Sequence, residues 1–443
     1  MKNFRLLPLF AALGAALALP VKAQSLVDLY ESARGFDATY QSAKSTYDAT
    51  LARGAQAKAA VLPIANLALN ASRSSQETIP EGGATTDRSY GTQSATVSAS
   101  QPLYRPGNWA TYEQGKKQTD LAQAQLAAAD QDLIIRVSQA YFEVLASQDS
   151  LTFVKAQKAA VAEQLASAKR NFEVGTSTIT DTREAQARYD LGTAQEIATE
   201  NDLRVKQIAL NQLVGKTDTQ PKALALPLVL PALQPNDANA WVLQSEPDHP
   251  SIKQTQIVLD VAQLETQKAE SGHKPTLDLT ASYSAIKNLD GSSSGVGSSR
   301  ANVGALGLAF NLPLFAGFAT QNRVKETLAL EDKARNDLDG AKRAVAQATR
   351  TAFFGVLSGQ GQVKALEAAE ASSQSALDAN KLGYQVGVRI NIDVLNSQSQ
   401  LFQTKRDLAK ARYDVLVGGL KLRQANGTLK ADDLQSVNAL LVK

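Results

Sequence analysis

Residues 139–145 read QAYFEVL, and residues 351–357 read TAFFGVL. They lie 212 residues apart. At the same interval Phe172-Glu173-Val174-Gly175 recurs as Tyr384-Gln385-Val386-Gly387, Asp181 as Asp393, and Pro63 as Pro275. Leu67 and Leu277 are offset by 210. A period this long, present twice, marks a duplicated unit; solenoid repeats run about 20–50 residues. Each unit reads as strand, strand, very long helix, shorter helix.

The long helices decide the architecture. Between about Asn108 and Phe172 there is no proline, and Gly115 is the only glycine. Apolar or small residues alternate at spacings of four and three: Leu133, Val137, Ala140, Val144, Ser147, Leu151, Val154, then Lys158, then Val161, Leu165, Ala168 and Phe172. The second unit matches from Val345 through Thr349, Val356, Val363 and Leu377 to Tyr384. This is a thinly apolar heptad seam, which lets helices approach closely. A helix of ~65 residues is ~97 Å long and must project as a rod. Gly175 and Gly387 are the expected stops. Shorter helices return from Thr182 to about Leu213 and from Asp393 to about Gln424.

Ahead of each long helix, two stretches alternate with a period of two, which gives one apolar and one small or polar face. In the first unit these are Asn66–Ser72 and Ala95–Leu103, separated by the polar linker 76–88. In the second, Leu277, Leu279, Ala281 and Tyr283 alternate with polar residues, as do Leu306, Leu308, Phe310, Leu312 and Leu314. Strands of ~10 residues have transmembrane length; alternation alone also fits a half-buried hairpin in a soluble protein. A bilayer tolerates no open sheet edge. Closed barrels need at least about eight strands, so four per chain in a membrane would require several chains. Eight, twelve or sixteen strands remain open.

Residues 1–23 read as a signal peptide. Lys2 and Arg5 precede the apolar run Leu6–Leu19, and Val21-Lys22-Ala23 fits a small-x-small cleavage site. Its removal leaves 43 basic and 43 acidic residues, so the expected mature chain is neutral and carries no electrostatic footprint for nucleic acid. There is no cysteine for a disulfide, a nucleophile or a thioether lipid anchor. One helical pattern spans Leu26–Leu62. Residues 215–245, with four prolines, form a linker between a first repeat (24–214) and a second (246–426). The tail, 427–443, reads as short and featureless. His249 and His273 have no metal-ligand spacing. No P-loop, GxSxG or HExxH motif is present, so no enzyme and no cofactor is expected.

Several segments together identify a family. They are Ala140-Tyr141-Phe142, Arg170 to Asp181, ARYD at 187–190, HxPTLDLTAS at 273–282, LxFxLPL at 308–314, and GYxVG-x-R-x-x-x-DVL at 383–395. The chain resembles the TolC family of outer-membrane channel-tunnels over essentially all of its mature length. The resemblance implies an α+β membrane protein: a homotrimer whose twelve-stranded barrel, four strands per chain, sits in outer-membrane lipid. A long α-helical coiled-coil barrel would continue it through the periplasm, with residues 215–245 and the C-terminal segment 427–443 forming a belt around its middle. It implies an exit duct for efflux pumps or type I secretion, served by a periplasmic adaptor (a membrane fusion protein) and an inner-membrane RND or ABC transporter. It places the periplasmic gate at Asp393 and Asn396, where Asn396 stands in for a second acid and weakens a cation site. It maps the gate latch to Arg389 and Tyr384 against Thr180 and Asp181. A second link would join Gln164 to an acid, but Lys381 occupies that position. Gly175 and Gly387 map to the tip turns where adaptors dock. Simpler readings stand beside these: Arg389 and Asp181 as solvated charges, Asp393 as an N-cap, and the glycines as helix stops. A membrane-anchored coiled-coil stalk or adhesin is the alternative function; it needs one strand set, whereas a duct wall needs both.

Overall fold

The computed structural model describes residues 23–292, 295 and 297–442. The expected signal peptide, apart from Ala23, lies outside them. The elements run α1 (Leu26–Phe36), α2 (Ala38–Ala57), β1 (Ile64–Thr78), β2 (Thr86–Tyr104), α3 (Pro106–Glu173), α4 (Ile179–Val214), α5 (Ala238–Asp248), α6 (Pro250–Glu270), β3 (Thr276–Asn288), β4 (Ser299–Asn311), α7 (Ala319–Gln385), α8 (Asn391–Ala425) and α9 (Asp433–Asn438). They divide into two units. Of the described residues, one gathers those up to Ala43, Leu126–Pro250 and those from Arg343 on; the other gathers those of Lys44–Gln125 and Ser251–Lys342.

The second unit contains one antiparallel sheet in the order β1-β2-β3-β4. Its register collects the apolar positions of all four strands on one face. Ala65 pairs with Ala99, Ala99 with Ala281, and Ala281 with Leu306. The neighbouring row is Asn66, Ser98, Ser282 and Ala305, on the other face. There Thr96 and Ser284 hydroxyls lie 2.9 Å apart. The strands exceed the expected lengths because the polar linkers at 76–88 and 287–300 continue the pairing, Glu77 with Asp87 and Lys287 with Arg300. Leu312 and Leu314 instead fall beyond β4, which ends at Asn311; Pro313 cannot donate to a ladder. Below the sheet, Arg105 Nε donates to the buried Asp278 Oδ1 at 2.7 Å. Gly115 marks where α2 crosses α3: a Cβ there would stand 2.3 Å from the Ala57 Cβ.

The first unit is built on the heptad seam. Leu133, Val137, Val144, Ser147, Val154, Val161, Leu165 and Ala168 are all buried along α3. Its main core joins Leu26, Leu29, Tyr30 and Ala33 of α1 to Tyr141, Phe142 and Leu145 of α3 and to Leu434 of α9. Tyr141 Oη donates to the Lys222 carbonyl at 2.9 Å, fastening the 215–245 segment onto α3. Two expectations are corrected here. Leu26–Leu62 is not one helix, because Asp37 interrupts it: its carboxylate accepts from the Tyr40 amide at 2.9 Å and from both terminal nitrogens of Arg136. The tail is not featureless: Leu434 is fully buried and Leu441 bridges to Leu224. The repeats also diverge. Phe142 is 2% exposed, whereas its counterpart Phe354 is 57% exposed.

Candidate functional site: the helical tip

Both long helices stop at the predicted glycines. Gly175 and Gly387 take φ of 81° and 80°, the left-handed region that side chains avoid, and nothing stands near the Cβ either would carry. Each is followed by a short turn into the returning helix. Thr178 caps α4 with a capping box, its hydroxyl accepting from the Asp181 amide at 3.3 Å while Asp181 Oδ2 accepts from the Thr178 amide at 3.1 Å. The Ser177 hydroxyl donates to the same carboxylate at 2.7 Å. Burial pushes the Asp181 carboxyl up, but the hydrogen bonds from Ser177 and Thr178 outweigh it and hold the group below its ordinary value.

The N-cap of α8 is Ile390, and it makes no side-chain bond. Asp393 is therefore not the N-cap; it stands in the first turn, where the helix dipole favours an acid. Its Oδ2 lies 3.7 Å from Arg389 Nη1, an exposed pair worth little by itself. Among the described residues Arg389 and Tyr384 make no bond to Thr180 or Asp181. The Asp181 carboxylate is occupied by its own turn, and Tyr384 Oη accepts from Asn171 Nδ2 at 3.4 Å. Thr180 is exposed at the start of α4.

A buried contact between the hairpins runs through a residue the sequence reading did not single out. Asn391, the first residue of α8, is fully buried. Its Oδ1 accepts from Gln164 Nε2 of α3, and its Nδ2 donates to the Asp181 carbonyl of α4 at 3.3 Å. Gln164 thus finds a neutral amide partner rather than position 381. Asn396, exposed one turn on, accepts from Arg188 Nη2 at 2.9 Å. The tip packs on Val161, Leu165, Ala168, Ala185 and Leu395. No group of residues able to hold a metal ion is found among the described residues, and none of their helices is long and apolar enough to cross a membrane.

The sequence model described as outer membrane efflux protein matches residues 29–216 and again 241–428, two segments set apart by the same 212 residues as the internal repeat. The chain belongs to the outer membrane efflux protein family. It is 34% identical over 439 residues to the outer membrane protein TolC of Vibrio cholerae, covering 98% of each chain. It is 30% identical over 441 residues to the alkaline protease secretion protein AprF of Pseudomonas aeruginosa, covering 98% of this chain and 91% of that one. Among solved structures, the outer membrane protein VceC of Vibrio cholerae superposes with a TM-score of 0.78 at 18% identity, over 91% of this chain and 96% of that one. Membership makes this protein an outer-membrane channel and not an enzyme. The double match also disposes of the stalk alternative, which requires only one strand set.

Proposed function

We propose that three copies of the chain close one twelve-stranded barrel in outer-membrane lipid and that their helices line a periplasmic exit duct. The observation that carries this is the sheet. Among the described residues its outer strands β1 and β4 each have one unpaired edge, and its apolar face leaves Leu69 72% exposed and Leu306 77% exposed. Within a bilayer, bare edges and a bare apolar face together are satisfied when neighbouring copies take the edges and lipid covers the face. The uncovered Phe354 and Leu357 of α7 fit a further contact between copies.

The tip serves as the gate in this reading. Threefold symmetry brings three copies of Asp393 together at the narrow end, with Asn396 one turn on. Arg389 and Tyr384 act with Thr180 and Asp181 across the joint between neighbouring copies, which leaves these four unpaired with one another inside a single chain. Gln164 and Asn391 supply the clasp within each chain. The grooves beside Gly175 and Gly387 receive the hairpin of a periplasmic adaptor coupled to an inner-membrane RND or ABC transporter. The cargo is small molecules or an unfolded protein; AprF is named for protease secretion. Neither nucleic acid nor a cofactor enters.

Gly387→Trp tests the docking half of this function. A bulky residue at a left-handed position beside the groove should abolish export while trimers still reach the membrane. Normal export at normal expression would place docking elsewhere.

A further inference from the structure

A cavity of about 440 Å³ lies between the α3–α4 hairpin and α8. Lys158 of α3, Arg188 of α4 and Arg406 of α8 line it with the amides of Gln157, Gln195 and Gln400; among the described residues no carboxylate does. Lys158 is matched by Glu196 at 2.7 Å. The two guanidiniums are not matched. Arg188 Nη2 donates to Asn396 and Arg406 Nη2 to Gln403, both neutral amides, and among the described residues neither arginine has an acidic partner. Arg406 Nε is shielded from solvent and has no hydrogen-bond partner among the described residues. The acid adjacent to it in sequence, Asp407, is exposed and accepts from Gln403 Nε2 at 2.8 Å.

Two cations from separate hairpins therefore open on one cavity with only neutral partners. Both arginines are half-exposed, with the Arg406 Nε shielded, and a guanidinium presents a planar fork of donors matched to an oxyanion. We propose that this cavity is an oxyanion site. A phosphate or small carboxylate bound there bridges Arg188 and Arg406 and ties α8 to the α3–α4 hairpin. Empty, the site leaves two like charges lining one cavity without a counter-charge. The consequence for opening rests on the gate reading above; the binding does not.

Equilibrium dialysis of the full-length trimer in detergent, with inorganic phosphate at fixed ionic strength in chloride, reads the binding directly. Wild type should take up phosphate saturably, and Arg188→Gln and Arg406→Gln should each weaken uptake by roughly ten-fold or more, the scale of one charge-assisted bond. Acetate is the second arm: displacement of phosphate assigns the site to carboxylates as well, and no displacement assigns it to phosphate. Arg406→Glu guards against a folding failure, because it places a carboxylate opposite Arg188. That variant should lose phosphate uptake while its melting temperature at zero phosphate matches or exceeds that of wild type. No saturable uptake by wild type, or undiminished uptake by the variants, overturns the proposal. In planar bilayers phosphate should shorten wild-type openings. Saturable binding without that effect supports the site and removes only its link to the gate.

Discussion

Asn391 Nδ2 donates to the main-chain carbonyl of Asp181 at 3.3 Å, with no part of the Asn391 side chain open to solvent. The acceptor is backbone, so the bond depends on the path of the α4 turn and not on the Asp181 side chain. With the Gln164 bond on its other atom, a single amide holds both helices of the first hairpin to the start of α8. A buried amide that loses its partner costs about 1–3 kcal/mol. Asn391→Leu keeps the volume and deletes both bonds, leaving Gln164 without its partner. Planar bilayer recordings should show larger or longer openings for this variant. Wild-type conductance with normal assembly would mean that the clasp does not hold the tip.

Asp393 and Arg389 make a second, separable prediction. In the proposed gate three Asp393 carboxylates would meet at a constriction and attract divalent cations, and the neighbouring guanidinium 3.7 Å away would oppose that attraction. Asp393→Ala should abolish block by divalent ions. Arg389→Ser should raise conductance and also deepen the block, since it frees the carboxylate. The same recordings decide it: unchanged block in Asp393→Ala removes this residue from the constriction.

The sheet register fixes which positions meet lipid. Leu308 pairs with Leu279 on the apolar face, and Gly307 pairs with Thr280 on the other. A cation at mid-bilayer on a lipid-facing position costs about 2–4 kcal/mol per chain. Leu308→Arg should therefore deplete trimers in the membrane, whereas Thr280→Arg should assemble and change ion selectivity. Equal assembly of the two variants contradicts the assignment of faces.

Asp37 links pH to stability. The bond from Arg136 pulls its carboxyl below the usual value, against the effect of burial, and the Tyr40 amide adds to the pull. A depressed carboxylate contributes stability above the unfolded value of about 4, and loses that contribution as pH falls through the folded value. Arg136→Met should lower the melting temperature at neutral pH by an amount that shrinks on acidification. A difference independent of pH between about 7 and 3 would show that the ion pair does not carry the effect.

Much of this architecture is legible in the chain. The seam from Leu133 to Ala168 records burial because a helix of that length can hide only a narrow stripe, and the stops at Gly175 and Gly387 are written in backbone sterics. Strand faces are legible through period-two alternation, but strand ends are not: beyond Ala71 the chain is polar on both faces while the ladder continues. The break at Asp37 is invisible locally, since its partner Arg136 lies 99 residues away. Asn391 went unread for a related reason. An asparagine at a helix start reads as a cap, and only the packed hairpins show its side chain turned inward to Gln164 and Asp181.

If one chain supplies a third of a barrel, native mass spectrometry of the detergent-extracted protein will count the chains that share it. Four strands per chain with two open edges, closed into the proposed twelve-stranded barrel, predict a single species of three chains that dissociates on heating. A stable, folded monomer or dimer would contradict the shared barrel and the duct built on it.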